Sequence, residues 1–265
     1  APQVTATQGS LFDLPPAITG EAPAAKTLNS IDDTPHKYFV LENAMQRASL
    51  RAELSQVPAF CFDTETTGLN THQDKLVCIS FSFKPHEAYC VLIPKDRAEA
   101  QAIVNEFQHI FTDRNIIKVG QNIKFDMQML AQYGIEVQAP FFDTMIAHYL
   151  LQPDLRHNLD FICETYLNYK KVPTEDLLGK KGKTQLDMRH VETEKMANYA
   201  CEDADLTFQL YPILQKELQE NELIPLFSEI EMPLIEVLSD MERTGVVIDK
   251  DALNDYAHVL RGQIT

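Results

Sequence analysis

Short hydrophobic runs alternate with amphipathic stretches along most of the chain and predict alternating strands and helices. Four runs have the length and the β-branched or aromatic content of buried strands: 59–62, 76–83, 88–93 and 116–119. Apolar residues recur at helical spacing in seven segments: 41–56, 99–111, 123–133, 144–151, 159–167, 192–218 and 227–243. Because strands come early and helices late, we expect an α/β fold, a mixed sheet flanked by helices, with a helical C-terminal extension.

Residues 1–36 lack a sustained apolar period and contain five of the 14 prolines, which predicts a flexible linker. One apolar island interrupts this linker. It runs from Gln8 to Phe12 and places the large apolar side chains of Leu11 and Phe12 side by side. A disordered segment with a short apolar anchor commonly docks in a groove of a partner protein.

The composition, with 45% hydrophobic residues in a chain of 265, is sufficient for a sizeable core. The net charge of −16 argues against a nucleic-acid coat protein that works by bulk positive charge. No stretch approaches the roughly 20 apolar residues of a membrane span, and the N-terminus lacks a signal-peptide pattern. We therefore expect no membrane partner and a cytoplasmic location. The five cysteines stand singly without a CxxC motif, which predicts reduced core thiols.

Two carboxylates, Asp63 and Glu65, follow the apolar run 59–62. Their spacing of two places both side chains on the same face of a strand. Like charges this close repel, so they require either a nearby cation or a shared proton. For an isolated pair, a solvated strand end before the turn at Gly68 is the better interpretation.

Two later segments add further acidic residues. Gly120 closes a strand, and Asp126 follows in the first turn of the next predicted helix, where the helix dipole favours a carboxylate in any case. Tyr199 and Asp203 stand four residues apart in a strongly helical segment, so both lie on one stripe. Each motif alone also fits an ordinary helix surface. The combined order Asp-x-Glu, Asp, Tyr-x3-Asp is far more specific than any one of them.

This order resembles the three motifs of the DEDDy class of RNase H-like 3′-5′ exonucleases. Over most of residues 37–260 the sequence is also similar to the proofreading domain of the DNA polymerase I family, the family A DNA polymerases. The strongest stretches are 62–66 with Leu69, 120–126, 182–186 and 199–205. The resemblance implies an RNase H-like sheet, an exonuclease domain at 37–225 and the start of a polymerase domain, cut short, at 226–265.

Phosphodiester hydrolysis of this kind is served by two divalent ions roughly 3.5–4 Å apart. Hard oxygen ligands suit Mg²⁺ or Mn²⁺. The resemblance implies that Asp63 bridges both ions, that Glu65 and Asp203 complete the tighter site, and that Asp126 helps to bind the second ion. It implies that Tyr199 orients the attacking water, since a phenol with its usual pKa near 10 is a poor base.

The resemblance also implies contacts with the single-stranded 3′ end of primer DNA. Leu69 matches the family's wedge between the last two bases, a contact that does not read sequence. Gln121 and Asn122 match backbone and sugar contacts, and Arg156 stands where the family has a phosphate-facing arginine. A loop anchor is the alternative for Leu69, and helix capping is the alternative for Gln121 and Asn122.

Two positions depart from the family pattern. Thr174 lies in the segment where the family often has an aromatic residue that stacks on the terminal base, and Phe125 stands where a tyrosine is usual. We therefore expect a weaker grip on the last nucleotide.

Other polar residues have structural interpretations. Between Lys170 and Lys183 five lysines face two acids, a local charge of +3 that either guides DNA or faces solvent. His157 and His190 are interpreted as polar core or surface residues, and Asp143 as a helix cap.

The implied function is a metal-dependent 3′-5′ exonuclease that removes mispaired nucleotides during DNA replication and repair. Its implied partner is the rest of a polymerase chain, and the stretch from Gln8 to Phe12 is similar to peptides that bacterial replication proteins insert into the sliding clamp. Two alternatives stay open: a catalytically silent DNA-binding scaffold, and an RNase D-type RNA exonuclease. The presence of all four acids argues against the first. The resemblance of residues 229–234 and 242–246 to the entry into a polymerase domain argues against the second.

Overall fold

The computed structural model describes residues 27–179 and 186–264, which contain a six-stranded sheet and its surrounding helices. The strands are β1 (Lys37–Leu41), β2 (Ala59–Thr66), β3 (Leu76–Lys84), β4 (Glu87–Leu92), β5 (Ile117–Gly120) and β6 (Phe141–Asp143). The helices are α1 (Ala44–Leu54), α2 (Arg97–Glu106), α3 (Gln108–Phe111), α4 (Ile123–Ala131), α5 (Thr144–Leu151), α6 (Leu159–Ile162), α7 (Thr174–Leu178), α8 (Thr193–Glu220), α9 (Ile224–Leu226), α10 (Met232–Thr244) and α11 (Lys250–Ile264). The peptide from Gln8 to Phe12 lies outside the described residues.

The sheet has the strand order β1-β4-β3-β2-β5-β6. Strand β2 lies inside the sheet, antiparallel to β3 and parallel to β5. Strand β4 pairs antiparallel with β3 and parallel with β1, and β6 pairs parallel with β5. The prediction of a mixed sheet flanked by helices is therefore confirmed.

The two faces of β2 carry different chemistry because its side chains alternate. Phe60 and Phe62 contribute to an aromatic cluster with Phe111 of α3, and all three rings are fully buried. On the other face, Glu65 stands opposite Cys78 of β3. Cross-strand partners share a face, so Glu65 projects toward the side of the sheet that α8 covers.

Helix α8 covers one face of the sheet and packs against strands β1, β2, β3, β4 and β5. It packs closely because small buried residues, among them Ala200 and Cys201, meet the sheet near Cys78 and Cys90. Cys61 and Cys163 are buried as well, which confirms that the cysteines belong to the core. None of the described helices is both long and apolar enough to cross a membrane.

The boundaries of some helices differ from the predicted ones because capping hydrogen bonds determine where a helix begins. The first predicted helix, 41–56, begins only at Ala44 because Asn43 caps it: Gln46 N donates to Asn43 Oδ1 at 3.0 Å, and Gln46 Oε1 accepts from Asn43 N at 3.2 Å. Two short strands, β1 and β6, had not been predicted. Helix α11 adds to the expected helical C-terminal extension.

Two domain boundaries, at 36 and at 225, stay predictions. Within the proposed linker, Asn29 forms a parallel bridge with Tyr169. Asn29 N donates to Asn168 O at 3.0 Å and Lys170 N donates to Asn29 O at 2.8 Å. These bonds anchor the segment 168–170, which leads into the site described next.

Candidate active site

The first acidic motif lies within β2 rather than beyond its end, because the strand continues to Thr66. Asp63 and Glu65 therefore share one face, as their spacing of two predicts. Both side chains line a single cavity of about 800 Å³. The alternative of a solvated strand end is wrong for Glu65, which is buried at 8% exposure.

Strand β2 extends beyond the end of its neighbour β5, so the last part of β2 has no strand partner on that side. The pairing with β5 ends at Cys61, and the chain turns into α4 after Gly120. Asp126 of α4 forms hydrogen bonds with this unpaired part of β2: its Oδ1 accepts from Thr64 N at 2.9 Å and from Thr64 Oγ1 at 2.5 Å. This pair of hydrogen bonds brings the second acidic motif to the first.

The turn before α4 depends on a buried carboxylate. Asp143 accepts from the backbone N–H groups of Asn122 and Ile123 at 3.2 and 2.8 Å. It also accepts from Met145 and Ile146 at the start of α5, at 2.8 and 3.2 Å. The prediction that Asp143 caps a helix is confirmed, and the same side chain secures the start of two helices.

Asn122 adopts a left-handed conformation with φ of 59° and ψ of 46°. It occupies the N-cap position of α4, but its side chain makes no capping bond. Before it, Gly120 is required because a Cβ there would come within 2.9 Å of the Ile123 side chain. The capping alternative for Asn122 is therefore wrong, since Asp143 supplies the bonds.

The third motif lies on α8, where Tyr199 and Asp203 face the same cavity as Asp63, Glu65 and Asp126. The structure thus brings together all five residues predicted for the reaction centre. The roles assigned to them stay predictions.

A lysine occupies the Asp203 side of this centre. Lys171 Nζ forms an ion pair with Asp203 Oδ1 at 2.9 Å and donates a hydrogen bond to Oδ2 at 3.1 Å. It also donates to the Tyr199 hydroxyl at 3.1 Å, and the hydroxyls of Thr174 and Tyr199 are 2.8 Å apart. The Lys171 ammonium thus contacts both carboxylate oxygens of Asp203.

Burial and mutual repulsion shift the proton equilibria of the acids. Burial, followed by repulsion from Asp126, Glu65 and Asp203, raises the pKa of Asp63 well above its usual range. Burial raises the pKa of Glu65 to about 8 and the pKa of Asp126 to about 7. The pKa of Asp203 is also raised by burial, although Lys171 opposes the shift. All four acids can therefore be ionised together only with a cation beside them; otherwise they retain protons.

The donor set fits a hard divalent ion. Four carboxylates converge on one cavity, and carboxylate oxygens are the ligands that hard divalent ions such as Mg²⁺ prefer. Among the described residues, however, no three His, Cys, Asp or Glu side chains are already arranged to hold a metal ion. Two of the acids are engaged with other partners: Asp126 accepts from the Thr64 hydroxyl, and Asp203 pairs with Lys171.

Three of the four residues predicted to contact DNA line the cavity, and the fourth does not. Leu69 is 89% exposed and lines the cavity, together with Gln121 and Asn122. Gln121 is tied to the fold, because its Nε2 donates to His157 O at 2.8 Å and its Oε1 accepts from Thr144 at 2.5 Å. Arg156 is exposed but does not line the cavity. These four contacts with DNA stay predictions.

Three residues of the site were not predicted. Lys171 belongs to the lysine-rich stretch that was expected either to guide DNA or to face solvent, and both expectations are wrong for this residue, since its side chain is 4% exposed. Thr174 contacts the Tyr199 hydroxyl, and His190 lines the cavity beside Asp187. The sequence carries no signal for the contacts of Lys171 and Thr174, because their partners Asp203 and Tyr199 lie 32 and 25 positions later in the chain.

The comparisons with known proteins agree with this geometry. A family model described as 3′-5′ exonuclease, of the DNA polymerase A type, matches residues 38–219. The chain belongs to this family. DNA polymerase I of Borreliella burgdorferi is 36% identical over 251 residues, an alignment that covers 94% of this chain and 27% of that protein. The chain therefore spans about a quarter of the length of this relative.

Solved structures show the same RNase H-like exonuclease fold. NrnC of Brucella melitensis bound to pGG is 25% identical, with a TM-score of 0.62 over 80% of this chain and 95% of that one. RNase D of Escherichia coli, an exoribonuclease, is 20% identical, with a TM-score of 0.62 over 84% of this chain and 54% of that one. Another structure of Brucella melitensis NrnC contains bound Mg²⁺.

Proposed function

We propose that this exonuclease domain removes mispaired nucleotides from the single-stranded 3′ end of DNA with two divalent ions, as the proofreading part of a DNA polymerase I. The convergence of Asp63, Glu65, Asp126 and Asp203 on one cavity carries the proposal. The relationship to DNA polymerase I favours DNA as the substrate.

The positions of the four acids suggest which of them would bind each of the two ions. Asp63 and Glu65 project from the rigid central strand, and Asp203 reaches the same cavity from α8. These three would hold the ion that serves the attacking water, and Asp63 would share the second ion with Asp126. Bound divalent ions supply two effects: they lower the pKa of water and they stabilise negative charge on the phosphate.

Tyr199 would position the water rather than deprotonate it. Burial, followed by repulsion from Asp203, raises the pKa of this phenol well above its usual value of 10.0. The hydroxyl therefore keeps its proton at neutral pH and acts as a hydrogen-bond donor. Its present contacts with Lys171 and Thr174 fix the ring at the cavity wall.

Leu69 would hold the 3′ end by an apolar contact. It is the most exposed of the large hydrophobic residues that line the cavity. Stacking of bases on apolar side chains grips single strands without reading their sequence. This matches an enzyme that must remove any of the four nucleotides.

The proposed partner is the remainder of a DNA polymerase I chain. The curated relatives are several times longer than this chain. Apolar residues on and after α10 are exposed here, among them Met241, Val246 and Val247. A polymerase domain that follows in the same chain would cover such a surface.

The test is a shortening assay with 5′-labelled single-stranded DNA and RNA of the same sequence, in Mg²⁺. We expect stepwise 3′ shortening of DNA, and a loss of at least about a hundredfold in Asp63→Asn. Asp240→Asn, an exposed acid on α10, is the matched control and keeps full activity. If the wild type shortened neither substrate, the alternative of a catalytically silent DNA-binding scaffold would be favoured. Faster shortening of RNA than of DNA would favour an RNase D-type enzyme.

A further inference from the structure

Lys171 is enclosed by the site instead of pointing to solvent. Besides its bonds to Asp203 and Tyr199, its Nζ lies 3.6 Å from Asp160 Oδ1 and 4.4 Å from the centre of the Tyr199 ring. Carboxylates on two sides and an aromatic face on a third surround the ammonium group. A side chain that is normally hydrated has exchanged its water for protein oxygens here.

The contacts of the lysine favour its charged form. Its Nζ pairs with both oxygens of Asp203 and lies within ion-pair distance of Asp160. No lysine or arginine lines the cavity among the described residues, but Lys171 contacts Asp203 and Tyr199, which do line it. One internal positive charge therefore stands directly beside one of the four acids.

The position of this charge conflicts with the role proposed for Asp203. A carboxylate oxygen that binds Mg²⁺ lies about 2.0–2.1 Å from the ion. In the structure both Asp203 oxygens lie within 3.1 Å of the Lys171 ammonium, and two cations cannot share that space without strong repulsion.

We infer that Lys171 is a built-in competitor for the divalent ion: its ammonium group neutralises Asp203 when no metal is bound and must leave Asp203 before that carboxylate can ligate. The inference rests on the proposed function. It assigns Lys171 a positioning role, because the residue acts through Asp203 and Tyr199. The free energy of metal binding is then the favourable interaction of the ion with the acids minus the free energy lost when the internal ion pair between Lys171 and Asp203 breaks.

The competition predicts opposite effects on metal binding and on the metal-free fold. In Lys171→Met, which keeps the apolar stem and removes the charge, Mn²⁺ binds at least about tenfold more tightly because no ion pair has to be broken. The same variant melts at a lower temperature without metal, since its acids lose their internal counter-charge, and Mn²⁺ restores more of its melting temperature than in the wild type.

The experiment measures Mn²⁺ binding by isothermal titration calorimetry on the whole chain without DNA, so that it does not depend on catalysis. Lys170→Met is the matched control: this neighbouring lysine is exposed, and its replacement leaves the Mn²⁺ affinity unchanged. Lys171→Gln, a neutral polar variant, is expected to tighten binding as well and serves if the methionine variant does not fold. Equal or weaker Mn²⁺ binding in the folded Lys171 variants overturns the inference.

Asp203→Asn separates this inference from the proposed function. If the acids bind the ion, Asp203→Asn weakens Mn²⁺ binding, and adding Lys171→Met to it gives little further change, since the competing ion pair has lost its acid. Weakening by Asp203→Asn with no effect of Lys171→Met contradicts the competition alone. Absence of Mn²⁺ binding in the wild type contradicts the proposed function itself.

Discussion

Replacement of Asp143 is expected to be unusually costly for a single capping residue. The side chain is 1% exposed and accepts from four backbone N–H groups, two at the start of α4 and two at the start of α5. Loss of one helix cap costs about 1 kcal/mol, and buried donors left without a partner add to this. We therefore expect Asp143→Ala to lower the free energy of unfolding by about 2–4 kcal/mol.

Urea unfolding followed by circular dichroism measures this cost. Asp96 offers the matched control, because it is an exposed N-cap of α2 that accepts from only two N–H groups, Ala98 and Glu99. Asp96→Ala is expected to cost about 1 kcal/mol, and Asp143→Asn, which keeps one accepting oxygen, an intermediate amount. If Asp143→Ala cost no more than Asp96→Ala, the idea that one carboxylate secures both helices would be refuted.

Three further predictions concern the site and its support. Leu69→Ala leaves the melting temperature unchanged, since the side chain is 89% exposed, and raises KM for single-stranded DNA about tenfold in steady-state kinetics. Thr64→Val removes the hydroxyl that donates to Asp126, and the exonuclease rate falls about tenfold while the fold persists; an unchanged rate would contradict a role for this bond. Burial lowers the pKa of Lys118 to about 8, so its charge destabilises the fold below that pH, and the cost disappears as the pH rises toward 10.5. Lys118→Met therefore gains about 1 kcal/mol over the wild type at neutral pH and progressively less in alkaline solution, as urea unfolding at each pH would show.

The predictable part of the fold and site consists of features with a local signal. The period of two in β2 placed Asp63 and Glu65 on one face, and the helical spacing placed Tyr199 and Asp203 on one stripe of α8. Strand β6 had no such signal. It has three residues and exists because it pairs with β5, a partner more than 20 positions away in the chain.

The contacts of Lys171 could not be predicted for a related reason. A lysine beside other lysines is usually solvated, and its acidic partner Asp203 stands 32 positions later. The same holds for the support of Asp126 by Thr64, which arises because β5 stops earlier than β2 and leaves an edge open. Local pattern thus predicts the acids, whereas strand lengths and chain packing decide which neighbours hold them.

The central claim is that acids from three separated segments bind divalent ions in one cavity. Crystals soaked in Mn²⁺ test it directly, because the anomalous difference map locates the ion without assumptions about the reaction. The account predicts peaks bonded to Asp63, with Glu65, Asp126 or Asp203 completing the ligands and Lys171 moved away from Asp203. An ion bound elsewhere, or a cavity without any anomalous peak at saturating Mn²⁺, would contradict it.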